Sequence, residues 1–332
     1  MQSVQIARPI SLILDWDGTL TEQDTLALVA NIGYKKQGLS PEVGHHANIL
    51  PWSDYGSAYM QDYKAHKAQY RPSASERTTI NEERHWLNSL QHTEHDSVTR
   101  VQTSGLFRGV HEKDICDAAH MAVNHGDLKL RTGWMSLLDK VLQNHDSGSN
   151  AAKSSVSILS VNWSAHFIRS SIIATIEQQG ETPRHDLISY ISSGLKTEAN
   201  EIQGYANPEG SDGSLCSRHG QDLRTSGNKL SRLPQRCQDN LDRLEKQWPG
   251  ENEATVIYLG DSDTDLEALL AADVGICIRN DPLSSSQKAL DEIVTRLGIP
   301  LLRISDASIR HGADGLLWAR DFDEIATSLD FS

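Results

Sequence analysis

The sequence predicts an α/β fold, a parallel sheet covered by helices on both faces and interrupted early by a mainly helical insertion. Three observations carry this. Apolar runs of strand length recur at "ISLIL" (10–14), "VSILSV" (156–161), "ATVIYLG" (254–260) and "VGICI" (274–278). From about residue 130 onward they alternate with helix-patterned segments, the rhythm of a parallel sheet with crossover helices. Residues 24–128 instead carry apolar positions at helical spacing and few strand-like runs.

"ISLIL" is continuously apolar, as a strand buried on both faces must be. It runs into Asp15 and Asp17, followed by Gly18 and Thr19. Leu26, Val29 and Ala30, and later Ile115, Ala118, Ala119 and Val123, fit helix faces. Trp52, Tyr55, Tyr59 and Tyr63 form an aromatic stripe at helical spacing. The stripe fits either a core contact or a stacking wall for a ligand. Residues 71–104 are rich in Ser, Thr, Glu and His, and long polar loops are expected there.

"TGWMSLLDKVL" (132–142) reads as a helix and 144–155 as a polar loop. A strand at 156–161 and an amphipathic helix at 165–179 follow. "HDLISYIS" (185–192) reads as a further strand, and the Gly- and Ser-rich stretch 205–227 breaks the rhythm. Residues 229–247 read as helical around Pro234, with a strand at 254–260, a helix at about 263–271 and a strand at 274–278. The expected organisation is a discontinuous core, 1–23 and 129–332, with a helical cap at 24–128 and no internal repeat.

A chain of 332 residues with 38 % hydrophobic and 23 % charged residues can pack a core, which argues against wholesale disorder. Its net charge of −14, with no basic stripe, disfavours nucleic-acid binding. Cys116, Cys216, Cys237 and Cys277 are scattered without a CxxC, so neither a zinc site nor a disulfide framework is expected. "ISLIL" is too short for a signal peptide, and no stretch reaches membrane-spanning length. A soluble cytoplasmic protein is the expectation.

Ligands of parallel sheets sit beyond the carboxyl ends of the strands. The polar residues there are Asp15 and Asp17; Ser160, Asn162 and Ser164; and Asp261, Asp263 and Asp265, with Lys229 in "TSGNKL". Carboxylates from two loops suit a hard cation such as Mg²⁺, and an ammonium and a hydroxyl suit a phosphate. Taken singly, each has a plainer reading. Asp and Gly are ordinary turn residues, acids favour helix N-termini, and a lone lysine is usually solvated. Lys196 is a lesser rival for the lysine role. His45, His46, His92 and His95 lack an evident third ligand and read as solvated loop residues.

In order, "DWDGT", "SVNWS", "NK" and "GDSDTD" resemble the four motifs of the haloacid dehalogenase (HAD) superfamily of phosphohydrolases. The matching core covers residues 8–22 and about 130–325, and it looks most like the phosphoserine-phosphatase-type branch. "ILSVNWSAHFIRS" and "YLGDSDTDLEALLAADVGI" are also similar to fungal proteins of unassigned substrate and to the phosphatase part of plant thiamin monophosphate phosphatases.

The resemblance implies a Rossmann-like core and an enlarged mobile cap at the first insertion position. It implies Asp15 as nucleophile and Asp17 as general acid and base. Ser160, Asn162, Lys229, Thr19 and Gly18 would hold the phosphate or shape its loop. Mg²⁺ would be bound by Asp15, Asp17 (through its main-chain carbonyl), Asp261 and Asp265, directly or through water. Two positions depart from the branch. Asn228 stands where Asp often precedes the lysine, and the bulky Asn162 and Trp163 replace a small loop, which puts phosphoserine itself in doubt.

The expected function is therefore a Mg²⁺-dependent phosphatase of a small phosphorylated metabolite, acting through an aspartyl-phosphate, with thiamin monophosphate one candidate. The alternative is a catalytically weak relative that binds a phosphorylated ligand or a protein partner.

Overall fold

In the computed structural model, residues 4–6, 9–44, 48–142, 153–179, 184–217, 222–244, 247–250, 253–307 and 315–331 are described. The elements run β1 (Val4–Ile6), β2 (Ile10–Leu14), α1 (Leu26–Lys36), α2 (Trp52–Gln69), α3 (Ile80–Ser89), α4 (Gln91–Ser104) and α5 (Glu112–His125). After these come α6 (Trp134–Leu142), β3 (Ser155–Leu159), α7 (Ala165–Gln178), α8 (His185–Ser193), β4 (Lys196–Glu198), β5 (Asn200–Ile202) and β6 (Leu215–Ser217). The chain continues through α9 (Ser226–Leu230), α10 (Gln235–Arg243), β7 (Thr255–Gly260), α11 (Leu266–Ala271) and β8 (Val274–Ile278). It closes with α12 (Ser285–Arg296), β9 (Leu301–Arg303), β10 (Leu316–Ala319), α13 (Phe322–Ser328) and β11 (Leu329–Phe331).

Seven strands form one parallel sheet in the order β4-β3-β2-β7-β8-β10-β9. β2 lies inside it, with Leu12 opposite Val156 on one side and Ile257 on the other. Successive strands leave β2 in opposite directions, so the crevice between β2 and β7 is where a ligand site is expected. Alternation along β2 sends Leu12 and Leu14 into one hydrophobic cluster and Ile13 into another, one on each face. The predicted α/β fold class is the one observed.

The helical stretch leaves and re-enters at one place. Thr21 bridges Leu130, the Glu22 N–H donates to the Lys129 carbonyl, and the Arg131 N–H donates to the Leu20 carbonyl. Between these points lie α1 to α5. α1 and α5 share a hydrophobic cluster with α7 and the sheet, while Trp86 and Leu87 of α3 join the opposite cluster.

Two local expectations are corrected. Residues 185–192 are helix α8, not a strand. Leu187 and Ile191 are one turn apart and both buried, so the segment satisfies a helical period. The strand at this position is the short β4. Residues 71–104 are mostly α3 and α4 rather than loop. Thr79 and Glu82 form a reciprocal cap that starts α3, and Trp86, Leu87, Val98 and Val101 are buried between polar outer faces. Pro234 separates α9 from α10, since it cannot donate the hydrogen bond that would continue a helix. The 205–227 stretch contains β6, paired antiparallel with β5. Most of the 144–155 loop, residues 218–221, and His45 and His46 lie outside the described residues.

Candidate active site

β2 and β7 end side by side, so their following loops meet. The Asp15 N–H donates to the Leu259 carbonyl at 2.9 Å, extending the pairing one residue beyond β2. Gly18 then takes a φ of +72°, which turns the chain back over the strand ends. A Cβ on Gly18 would collide with the Asp261 carboxylate. Arg131, where the chain returns from the helical segment, clamps this loop. It donates from Nη2 to the Gly18 carbonyl at 2.9 Å and from Nε to the Thr19 carbonyl at 3.0 Å.

Asp15 (4 % exposed), Asp261 (2 %) and Asp265 each bring a carboxylate oxygen within 4.8 Å of the other two. Lys229 is fully buried and donates to Asp15 Oδ1 at 2.8 Å and to Asp265 Oδ1 at 2.6 Å. Burial pulls its pKa down, but the charges of Asp15 and Asp265 outweigh burial and hold it above the ordinary lysine value. Lys229 is thus the lysine that reaches the acids. Lys196 is exposed and pairs with Glu198.

Asp265 is the most heavily bonded acid. Oδ1 also accepts from the Tyr258 hydroxyl at 2.6 Å, and Oδ2 accepts from the Asp261 and Ser262 N–H groups and the Ser262 hydroxyl. Among the described residues, Asp261 accepts only from the Thr19 hydroxyl at 3.4 Å and the Ser286 hydroxyl at 3.1 Å. Among the described residues no cation bonds it. Burial and the neighbouring Asp265 push its pKa up to about 7. Burial, then the Asp265 charge, likewise raises Asp15 despite Lys229. Two buried, under-compensated carboxylates offering only oxygen fit a hard divalent cation. Asp15 and Asp261 have free acceptor capacity, whereas Asp265 would have to give up a bond to join them directly.

Asp17 is half-buried at the same cleft. Its Oδ1 accepts from the Thr25 N–H and hydroxyl, and its Oδ2 accepts from the Asn162 amide at 2.8 Å. Burial, then the charge of Asp24, raises its pKa to about 6 against these bonds. Trp16 is fully buried and donates from Nε1 to the Thr25 hydroxyl at 2.9 Å, so it packs and also orients the group that holds Asp17.

The remaining predicted residues divide. Thr19 lies between Asp15 and Asp261, at 3.4 Å from each. Asn162 lines the cleft, whereas Ser160 is fully buried and its Oγ accepts from the Asn162 N–H. Asn228 caps α9 by accepting from the Arg224 and Thr225 N–H groups, so the position that departs from the branch serves the helix start. Asp263 lines the cleft outside the three-acid group. The His92 ring is exposed beside Asp96. The cleft, about 430 Å³, also reaches Ser284–Ser286 at the start of α12.

Thr25, Arg131 and Ser286 escaped sequence reasoning. Thr25 and Ser286 sit at helix starts, which is all their local sequence announces. Arg131 carries no motif at all, because its partners lie more than 100 residues away.

No family model matches the chain. It is 22 % identical to a CTO1 family protein of Schizosaccharomyces pombe over 303 residues, 91 % of this chain and 92 % of that one. It is 24 % identical to Cold tolerance protein 1 of Saccharomyces cerevisiae over 319 residues, 91 % and 88 % of the two chains. Among solved structures, a substrate-bound phosphoserine phosphatase aligns with a TM-score of 0.46 at 10 % identity, covering 97 % of this chain and 99 % of that one. A HAD family hydrolase from Salmonella enterica serovar Typhi aligns with a TM-score of 0.39 at 14 % identity, covering 83 % and 62 %.

Proposed function

We propose that this protein is a Mg²⁺-dependent phosphatase that hydrolyses a small-molecule phosphate monoester through an aspartyl-phosphate on Asp15. The observation that carries the reading is the buried Lys229 held between Asp15 and Asp265, beside the under-compensated Asp261, at the crevice between β2 and β7. A structural ion pair needs one acid. This arrangement gathers three, with a fourth acid, Asp17, half-exposed at the same cleft.

An Asp15 oxygen attacks phosphorus and the ester P–O bond breaks. Asp17, whose pKa near 6 suits proton transfer close to neutrality, gives its proton to the departing alkoxide. Water then attacks the phosphorus of the acyl phosphate, its proton passes to Asp17, and the Asp15–phosphorus bond breaks to release phosphate. Lys229 neutralises charge on the phosphoryl oxygens throughout. Mg²⁺, held by Asp15, Asp261 and the Asp17 carbonyl with Asp265 behind them, would supply the remaining positive charge.

The helices α1 to α5 act in this reading as a cap that excludes water. The substrate is a small phosphorylated metabolite, with thiamin monophosphate a candidate on resemblance alone. We place the protein in the cytoplasm without nucleic-acid partners. The net charge of −14 supports the second point, and no described helix is long and apolar enough to cross a membrane.

Phosphate release over a broad panel of phosphometabolites, with and without Mg²⁺, tests the reading against Asp15→Asn. Activity confined to the wild type with Mg²⁺ is expected. Equal inactivity of both proteins would instead favour the binding-protein alternative.

A further inference from the structure

A cavity of about 310 Å³ shares no wall residue with the acid cleft. Its walls come from α7, the end of α8, the β4–β5 segment and the turn after α9. In a chain of net charge −14, this cavity is locally basic. Arg169, Lys196 and Arg232 line it, against Glu198 and Glu201.

Both carboxylates are already engaged. Glu201 is buried. Its Oε1 accepts from the Ser164 hydroxyl at 2.7 Å and the Ile202 N–H at 3.2 Å, and its Oε2 accepts from the His166 N–H at 2.9 Å. Glu198 pairs with Lys196 and, at 3.5 Å, with Arg232. Arg169 is different. It is half-buried and its charge acts on Glu201, yet among the described residues its guanidinium bonds no acceptor. None of its nitrogens is sealed from solvent, so the free N–H groups open into accessible space. A planar guanidinium in that state is matched by a carboxylate or a phosphate, which accepts two parallel bonds from it.

The wall of this cavity is also the back of the loop that holds Asp17. The Ser160 N–H donates to the Glu198 carbonyl at 2.9 Å, and the Asn200 N–H donates to the Asn162 carbonyl at 3.1 Å. Asn200 Nδ2 donates to the Val161 carbonyl at 3.1 Å. On the other side of the same loop, the Asn162 amide donates to Asp17 at 2.8 Å. The wall itself is weakly anchored. β4 has three residues, ends the seven-stranded sheet and pairs there with β3 alone.

We infer that this cavity is an effector site for a small organic anion, whose carboxylate or phosphate group pairs with Arg169 and whose binding raises turnover by fixing the wall behind Asn162 and Asp17. The effect on turnover rests on the phosphatase reading; the site itself does not. An anion tied to Arg169 of α7 and seated on β4 binds better when β4 is docked, so its binding favours the docked wall. The volume lies at the small end of ligand pockets, and Ala165, Leu195 and Leu223 offer apolar contact to a short carbon chain.

Calorimetry on the full chain in metal-depleted buffer isolates this cavity, because the acid cleft without its cation repels anions. Salt at about 0.15 M screens loose surface attraction. The probes are succinate, methylphosphonate and the neutral succinamide. Succinate or methylphosphonate is expected to bind with a Kd of roughly 1 mM or tighter, and the tighter of the two distinguishes a carboxylate from a phosphate ligand. Arg169→Gln should weaken that binding by at least about tenfold. Arg169→Lys should keep part of it, since the charge stays and the fork is lost; it also serves if the Gln variant fails to fold. Lys64→Gln, at an exposed lysine of α2, should bind as the wild type does. With Mg²⁺ and the best ester of the phosphometabolite panel, saturating probe should raise kcat roughly threefold in the wild type and not in Arg169→Gln. The kcat is read because competition at the acid cleft moves only KM.

Binding of neither anion, equal binding of succinamide and succinate, or equal losses in Lys64→Gln and Arg169→Gln would overturn the site. Binding that leaves kcat unmoved in an active enzyme would overturn the effector role. Binding that is lost in Arg169→Gln, by a protein that hydrolyses no ester, would uphold the site and count against the phosphatase reading instead.

Discussion

Thr25 presents both its N–H and its hydroxyl to a single oxygen of Asp17, at 2.7 and 2.6 Å. Asp17 follows β2, and Thr25 immediately precedes α1, the first helix of the inserted segment. The proposed acid is therefore held by the element that leads into the proposed cap. These bonds favour the ionised carboxylate, yet burial and Asp24 prevail and the pKa is about 6. With an alkyl phosphate, turnover limited by protonation of the leaving group should fall above pH 6 as Asp17 loses its proton. With 4-nitrophenyl phosphate, whose leaving group needs no proton, that limb should vanish. Thr25→Val removes a bond that lowers the pKa, so the limb should move to higher pH. A limb that stays in place would show that another group sets it.

Lys229→Met should leave Asp15 and Asp265 buried without their cation. A stability loss of about 3–5 kcal/mol is expected near neutral pH. The Asp15 pKa, already raised by burial, would rise further in the variant, so its deficit should shrink as pH falls and that acid becomes neutral. Urea unfolding at pH 5 and pH 8 measures this. Phosphate release should drop by roughly three orders of magnitude.

Gly18→Ala should separate chemistry from folding. The positive φ and the collision with Asp261 fall on the loop that aims both acids. The strain should cost about 1–2 kcal/mol, read as a lowered Tm. The kcat should fall by about a hundredfold through displacement of Asp15 and Asp261.

Glu83 is a fully buried carboxylate of α3, bonded by Arg77 Nε at 2.7 Å and by Arg296 Nη2 of α12 at 2.8 Å. Nearby, Arg84 Nε donates to Glu267 of α11 at 2.9 Å. These pairs fasten α3 to α11 and α12. Glu83→Gln should cost about 3 kcal/mol, because both guanidinium groups lose their charge partner. Combining it with Arg296→Met should cost less than the sum of the two single changes. Additivity in urea unfolding would show that the two residues act separately.

Much of the acid cluster was legible because its signals are local. "ISLIL" must be a buried strand, and in a parallel sheet every strand delivers its following loop to the same edge. Asp15, Asp17 and Asp261 meet there for that reason. The errors fell where local composition gave the wrong weight. A polar composition hid α3 and α4, whose buried positions form narrow stripes. "HDLISYIS" offered enough apolar residues for a strand, although Leu187 and Ile191 keep a helical period.

The sequence by itself determined the parallel α/β class and which residues follow β2 and β7, because period and strand order are written along the chain. Only the tertiary structure decided what each side chain meets. It placed Lys229 between Asp15 and Asp265, spent the oxygens of Asp265 on positioning bonds, and locked the Gly18 turn with Arg131. Those partners lie up to 214 residues apart. Packing of the sheet and its covering helices brings them together, and no local pattern records that packing.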